Sequence, residues 1–374
     1  MTISSAVFKA MPVTWMATVT RMYLLDAEGY DALGDDFNND GKADIGNFGV
    51  DVGFVGVLFG RTYGNATRSI RCEQIGTPNF PGVKFVGGIQ GAKLGGGNKS
   101  IDADASVFSS GQRGQYGVSS AGDFNLDGLE DLLIAAPGQT WPAAKIEFLG
   151  AVADGDFVSI NGLQFEFDTN NAISSGRISV KIAATDALTA QRALLDAMNI
   201  ISAETLGVSS LQSQNQFPAP LPDTPTINML RRSYTPSSGW VTSSTANVKT
   251  TEMTRQGVSY LVFGDPTLLT NKTFVLPQDL NRRNSSGKRV LKGIVFVSGY
   301  EKDSGPNDTS PDEAPITSVA GLGDVDGDGF IDIILGAPEA DFINIIAPEE
   351  RRQSSGEAYL IYGNSFGLNA PTAP

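Results

Sequence analysis

Three nine-residue stretches constrain this chain more than anything else in it. They read DFNNDGKAD (Asp36–Asp44), DFNLDGLED (Asp123–Asp131) and DVDGDGFID (Asp324–Asp332). Each carries a carboxylate or amide oxygen at positions 1, 3, 5 and 9 and a glycine at position 6. Short acidic side chains packed this closely repel one another. They become favourable around a hard cation, and Ca²⁺ takes six to eight oxygens. The candidate ligand sets are Asp36, Asn38, Asp40, Lys42 and Asp44; Asp123, Asn125, Asp127, Leu129 and Asp131; and Asp324, Asp326, Asp328, Phe330 and Asp332. Position 7 (Lys42, Leu129, Phe330) varies in chemistry, as expected where only its backbone carbonyl is used. Gly41, Gly128 and Gly329 allow the sharp turn that points the oxygens inward.

An EF-hand needs a bidentate Glu at position 12 and flanking helices. Position 12 here is Asn47, Ile134 and Leu335, so that reading fails, and the aspartate at position 9 takes the bidentate role. The segments after the second and third loops, DLLIAAP and DIILGAP, are short apolar runs stopped by proline, and read as buried strands. Each loop therefore reads as the tight connection of a β-hairpin. The competing account is a bare Asp/Asn/Gly turn with no ion, common in β proteins. Three such loops at corresponding places in a larger repeat favour the metal.

The repeat is visible around the loops. Closing strands follow them: VGVLFG (Val55–Gly60), VSYLVFG (Val258–Gly264) and EAYLIYG (Glu357–Gly363). Two are followed by a further matching strand, GVKFVGG (Gly82–Gly88) and GIVFVSG (Gly293–Gly299). Small-residue strands precede the second and third loops, YGVSSAG (Tyr116–Gly122) and ITSVAGLG (Ile316–Gly323), with a weaker counterpart, GYDALGD (Gly29–Asp35), before the first. The unit holds about four strands, the content of one propeller blade. The second and third loops lie too far apart for one blade. The excess falls in residues 150–205, where FVSINGLQFEF alternates around Asn161-Gly162, RISVKI reads as a third strand, and LTAQRALLDAMNII places Leu194, Leu195, Met198 and Ile201 on one helical face. Thr189 or Asp186 is available to cap that helix. This reads as an inserted βββα module. Residues 206–255, rich in Ser, Pro and Thr, read as an extended linker. The expected organisation is thus 1–149 for the first repeat and the start of the second, 150–205 for the module, 206–255 for the linker, and 256–374 for the rest.

Bulk properties narrow the function. The net charge of −14 argues against nucleic acid and anionic membranes as partners, and bound Ca²⁺ would offset part of it. There is no histidine, which removes the commonest general base. A single cysteine, Cys72, rules out an intrachain disulfide framework and a Cys-based zinc site. No apolar run is long enough for a membrane span. Outside the loops the acids are scattered: Asp26, Glu28, Asp51, Glu147, Glu166, Glu252 and Glu301. No nucleophile-elbow, zinc-protease or phosphate-loop motif is present. Trp15, Trp141 and Trp240 read as packing residues rather than a carbohydrate platform.

These motifs resemble the FG-GAP repeat family, best known from the β-propeller head of integrin α subunits and abundant in bacterial surface proteins. Gly336-Ala337-Pro338 matches the family's Gly-Ala-Pro in full. Ala135-Ala136-Pro137 matches with one substitution, Tyr116-Gly117 stands for Phe-Gly, and Gly46-Asn47-Phe48 departs from the pattern. The resemblance implies an all-β fold of propeller-like blades, whole or partial, with Ca²⁺ at up to three loops on one face. It implies a module of an extracellular or cell-surface protein acting in adhesion or in binding a protein or glycan. The alternatives are a self-associating structural component and, further off, a propeller-based hydrolase or lyase. No Arg-Gly-Asp triplet occurs, so the sequence gives no reason to name an integrin as partner.

Overall fold

Alternating and continuous apolar runs dominate the sequence, and the computed structural model is accordingly built mostly of β-strands with two helices. It describes residues 9–11, 22–27, 52–59, 74–96, 117–213, 225–232, 234, 238–269, 273–280, 282–298, 316–338, 340, 342–343, 351–352 and 356–363. The chain divides into two compact units, one of residues 1–140, 256–342 and 352–374, the other of residues 141–255 and 343–351. It leaves the first along the strand Asp131–Phe148 and returns along Val248–Val262.

Among the described residues, the first unit contains three sheets. One runs in the order Lys9–Met11, Met22–Ala27, Phe54–Phe59, Gly82–Gly87, Thr273–Leu276, with only the last pair parallel. Its strand Phe54–Phe59 is buried at every residue, as its unbroken FVGVLF requires of a central strand. The second sheet sets Val118–Gly122 beside the start of Asp131–Phe148, then the end of Val248–Val262, then Gly293–Val297. The third is Ser318–Gly323, Asp332–Ala337 and Glu357–Ile361, antiparallel throughout. The second and third sheets repeat one plan: small-residue strand, acidic loop, apolar strand, closing strand ending in glycine. They share a core in which Ala121, Phe124, Leu133 and Leu261 meet Val319, Ile333 and Leu335. Glycine permits this approach, since a Cβ on Gly321 would lie 2.5 Å from the carbonyl oxygen of Ser120.

The first repeat is described only in part. In its sheet the strand Met22–Ala27 pairs directly with the closing strand Phe54–Phe59. Residues 28–51, which include the first acidic stretch, lie outside the described residues.

The second unit holds the expected hairpin and helix. Phe157–Ile160 and Leu163–Asp168 pair through Ile160 and Leu163, with Asn161 and Gly162 both at positive φ, as a two-residue turn matching the strand twist requires. Ile178–Lys181 adds in parallel. The helix Ala187–Asn199 is capped by Asp186, whose carboxylate accepts the Thr189 N–H at 2.9 Å. Leu194 and Met198 are fully buried against Phe165, Phe167 and Ile227, with Leu195 and Ile201 at the margin.

The linker expectation for 206–255 is corrected. That span contains the short helix Ala203–Leu206 at its edge and the strands Val208–Ser213, Thr226–Arg231, Val241–Ser243 and the start of Val248–Val262. Thr226–Arg231 pairs with Ala143–Glu147, and Val241–Ser243 pairs with Val158–Ile160. Ser and Thr fit pleated strands when apolar partners alternate with them, as Ile227 and Met229 do here. The composition concealed that alternation. The most Pro-rich part, 214–224, lies outside the described residues.

Candidate metal centre

The second and third acidic loops connect antiparallel strands, as the sequence predicts. Their hydrogen bonds largely correspond. At position 1, the carboxylates of Asp123 and Asp324 each accept the N–H of the position-6 glycine at 2.9 Å, from Gly128 and Gly329. Asp123 also accepts from Asp127 at 2.9 Å, and Asp324 from Gly327 at 2.7 Å and Asp328 at 3.1 Å. At position 5, Asp127 and Asp328 accept the N–H of Leu129 and Phe330 at 3.0 and 2.9 Å. The acidic side chains thus shape the turn before any ion is considered. Leu126 and Gly327, both at position 4, take positive φ, as do the position-6 glycines. Glycine accepts this freely, whereas leucine does so at a cost.

The position-9 aspartates have a role that their place in the sequence does not reveal. Asp131 and Asp332 are completely buried. One oxygen of each accepts the N–H of position 2, Phe124 at 2.9 Å and Val325 at 2.8 Å. The other accepts the N–H of the glycine just beyond the closing strand, Gly264 at 2.8 Å and Gly363 at 3.1 Å. A Cβ on Gly264 would stand 2.7 Å from the Glu130 carbonyl oxygen, and one on Gly363 would collide with that of Ile331. These two glycines were legible as strand ends. Their use as donors to the loop was not, because the contact joins residues more than a hundred positions apart in the second repeat.

The loops differ in charge. In the second, position 3 is Asn125, whose amide donates to Asp127 at 3.0 Å and quenches part of the repulsion. In the third, position 3 is Asp326. Loss of solvent around its carboxylate, reinforced by the charges of Asp328 and Asp332, holds its pKa above the ordinary value. Asp131 is pushed up to about 8, mainly by burial, with Asp127 adding to the rise and the N–H groups of Gly264, Phe124 and Asn125 opposing it. Both shifts record negative charge held at a cost, which a cation would relieve.

The third loop also has the spacing for one. Oxygens of Asp324, Asp326 and Asp332 lie within 4.8 Å of one another. Two ligands on one Ca²⁺ at about 2.3–2.6 Å are at most about 5 Å apart, so this set fits a single ion. Each carboxylate oxygen that accepts one N–H keeps a second lone pair. Asp328 is turned onto the Phe330 N–H and stands outside this group. The second loop shows no such cluster among the described residues, where its position 3 is an amide. Asp36, Asn38, Asp40, Lys42 and Asp44 lie outside the described residues.

Several of the other residues singled out in the sequence have partners in the fold. Glu147 pairs with Lys145 and Lys249, Glu166 with Arg177, and Glu252 accepts the N–H groups of Gly239 and Val241. Trp141 is buried and donates its indole N–H to the Arg231 carbonyl, and Trp240 is buried too. Trp15, Glu28, Asp51 and Glu301 lie outside the described residues.

The family comparison falls on the third repeat. A family model of the FG-GAP repeat matches residues 316–361, which span the small-residue strand, the acidic loop, the apolar strand and the closing strand. This segment is accordingly of the type that builds integrin-like β-propeller modules. No curated protein matches the chain. Among the described residues, no helix is long and apolar enough to cross a membrane.

Proposed function

We propose that this chain is a Ca²⁺-rigidified binding module of propeller-type blades, belonging to an extracellular or cell-surface protein and engaging a protein or glycan. The observation that carries the reading is the near-identical geometry of the loops Asp123–Asp131 and Asp324–Asp332, with three clustered carboxylates in the latter. In this reading Asp324, Asp326 and Asp332 hold the ion, with Asp123, Asn125, Asp127 and Asp131 as a weaker counterpart. Metal neutralises the loop, and the position-9 aspartate carries that rigidity to the end of the closing strand through Gly264 or Gly363. A non-enzymatic role fits the fate of Glu147, Glu166 and Glu252, each engaged by cations or backbone N–H groups.

Extracellular modules bind Ca²⁺ with dissociation constants of about 10⁻⁴–10⁻³ M. At ~1 mM ion, each site then contributes about 0.4–1.4 kcal/mol to stability. The test is thermal unfolding at matched ionic strength in Ca²⁺, in Mg²⁺ and in chelator. A midpoint that rises in Ca²⁺ alone, and rises less in Asp326→Asn, supports the reading. An unchanged midpoint in wild type leaves the loops as plain turns.

A further inference from the structure

The repeat register singles out an exposed face. In the second repeat, Ala121, Phe124, Leu133, Leu261 and Phe263 form the surface against which the third repeat packs. Their counterparts in the third repeat, counted from the loop aspartate and the terminal glycine, are Leu322, Val325, Ile334, Leu360 and Tyr362. Four of these are the exposed large hydrophobics of this sheet and its loop: Leu322 at 43%, Val325 at 51%, Leu360 at 43% and Tyr362 at 39%. Phe124, by contrast, is completely buried. The cross-strand pairs Ala320–Ile334–Leu360 and Ser318–Gly336–Ala358 lie on this same outer face, opposite the buried row Val319, Ile333 and Leu335. An apolar sheet face of this kind is an interaction surface rather than ordinary exposed leucine.

We propose that this face docks the same face of a second copy of the chain, sheet on sheet about a two-fold axis. Three features point to self-pairing. The row that fills the equivalent face within the chain, Val319, Ile333 and Leu335, is already spent on the second repeat, so among the described residues this sheet offers a second copy its outer face. The face rows carry no charged residue, so pairing two of them brings no like charges together despite the net charge of −14. Their bulk is also graded. Leu322 and Tyr362 stand at the loop end, the row Ala320, Ile334 and Leu360 in the middle, and Ser318, Gly336 and Ala358 at the other end. A two-fold axis in the interface and perpendicular to the strands reverses one sheet on the other, setting the large loop-end row over the small row at the other end while the middle rows meet.

Sedimentation velocity on the full chain across micromolar concentrations tests this, in Ca²⁺ and again in chelator, so that the fate of the metal reading stays separate. The expected result is a concentration-dependent dimer. Leu360→Lys and Leu322→Lys, each at an exposed position, should raise its dissociation constant at least about tenfold while circular dichroism and the thermal midpoint hold. Ile200→Lys, at a residue 86% exposed in the other unit, should leave it unchanged. A chain monomeric throughout overturns the proposal. So does a dimer that survives both face variants, which would place the contact elsewhere, such as the edge of Glu357–Ile361.

Discussion

Asp131 gives the sharpest test of the metal-centre reasoning. Its carboxyl is pushed from 3.8 to about 8 in the fold. Between those values the folded chain keeps a proton that the unfolded chain has lost. The stabilisation is complete below pH 3.8 and is lost as pH rises to about 8. The slope is at most about 1.4 kcal/mol per pH unit, so metal-free protein should lose up to about 4 kcal/mol from pH 5 to pH 8. For a unit of this size that is a fall of roughly 8–16 °C in midpoint. Asp131→Asn is neutral throughout and removes the titration, so the difference between wild type and variant isolates this one group. In chelator the variant should match or trail wild type at pH 5 and exceed it at pH 8. In saturating Ca²⁺ the wild-type loss should shrink, because the ion replaces the proton. The assay is a set of urea or thermal melts at four pH values, with and without chelator. A difference between the two proteins that stays constant from pH 5 to pH 8 would refute the argument, showing that the three N–H donors outweigh burial.

Gly264→Ala should destabilise by about 2–3 kcal/mol, from the clash with Glu130 and the strained bond to Asp131; an unchanged urea midpoint would remove the glycine from the loop's support. Leu126→Gly should stabilise by up to about 1 kcal/mol, since relief of the left-handed leucine exceeds the added chain entropy. A loss of stability there would mean that the side chain packs. Asp326→Asn should raise the metal-free midpoint slightly by removing repulsion from Asp328 and Asp332, and a drop in chelator would contradict it. Trp141→Phe should cost about 1–2 kcal/mol through loss of the indole N–H bond to the Arg231 carbonyl, read as a shift in denaturation midpoint.

How far the chain was legible depended on the range of each signal. Local signals carried through: the Asn161-Gly162 turn, the Asp186 cap and the strand–loop–strand of 316–337 all rest on neighbours in sequence. Composition misled where burial was set by distant partners. Thr226–Arg231 reads as part of a polar linker until Ala143–Glu147 is placed beside it. The same limit hid the roles of Gly264 and Gly363. The positive φ at Leu126 was missed for a different reason, because leucine is among the residues least suited to it, and only the glycine at the matching position, Gly327, hints at the requirement.

The two described loops show why one nine-residue pattern serves both as a turn and as a candidate ion site. The side chains at positions 1 and 5 organise the backbone by accepting its N–H groups. A metal therefore adds to a turn that already exists and need not build it. What distinguishes the loops is position 3. Asn125 satisfies Asp127 internally, whereas Asp326 adds a fourth negative charge and is the member whose ionisation its neighbours oppose. Electrostatics thus ranks the third loop ahead of the second as a cation site. The same argument predicts that exchanging position 3, Asn125→Asp with Asp326→Asn, would exchange their ion affinities while leaving both hairpins folded.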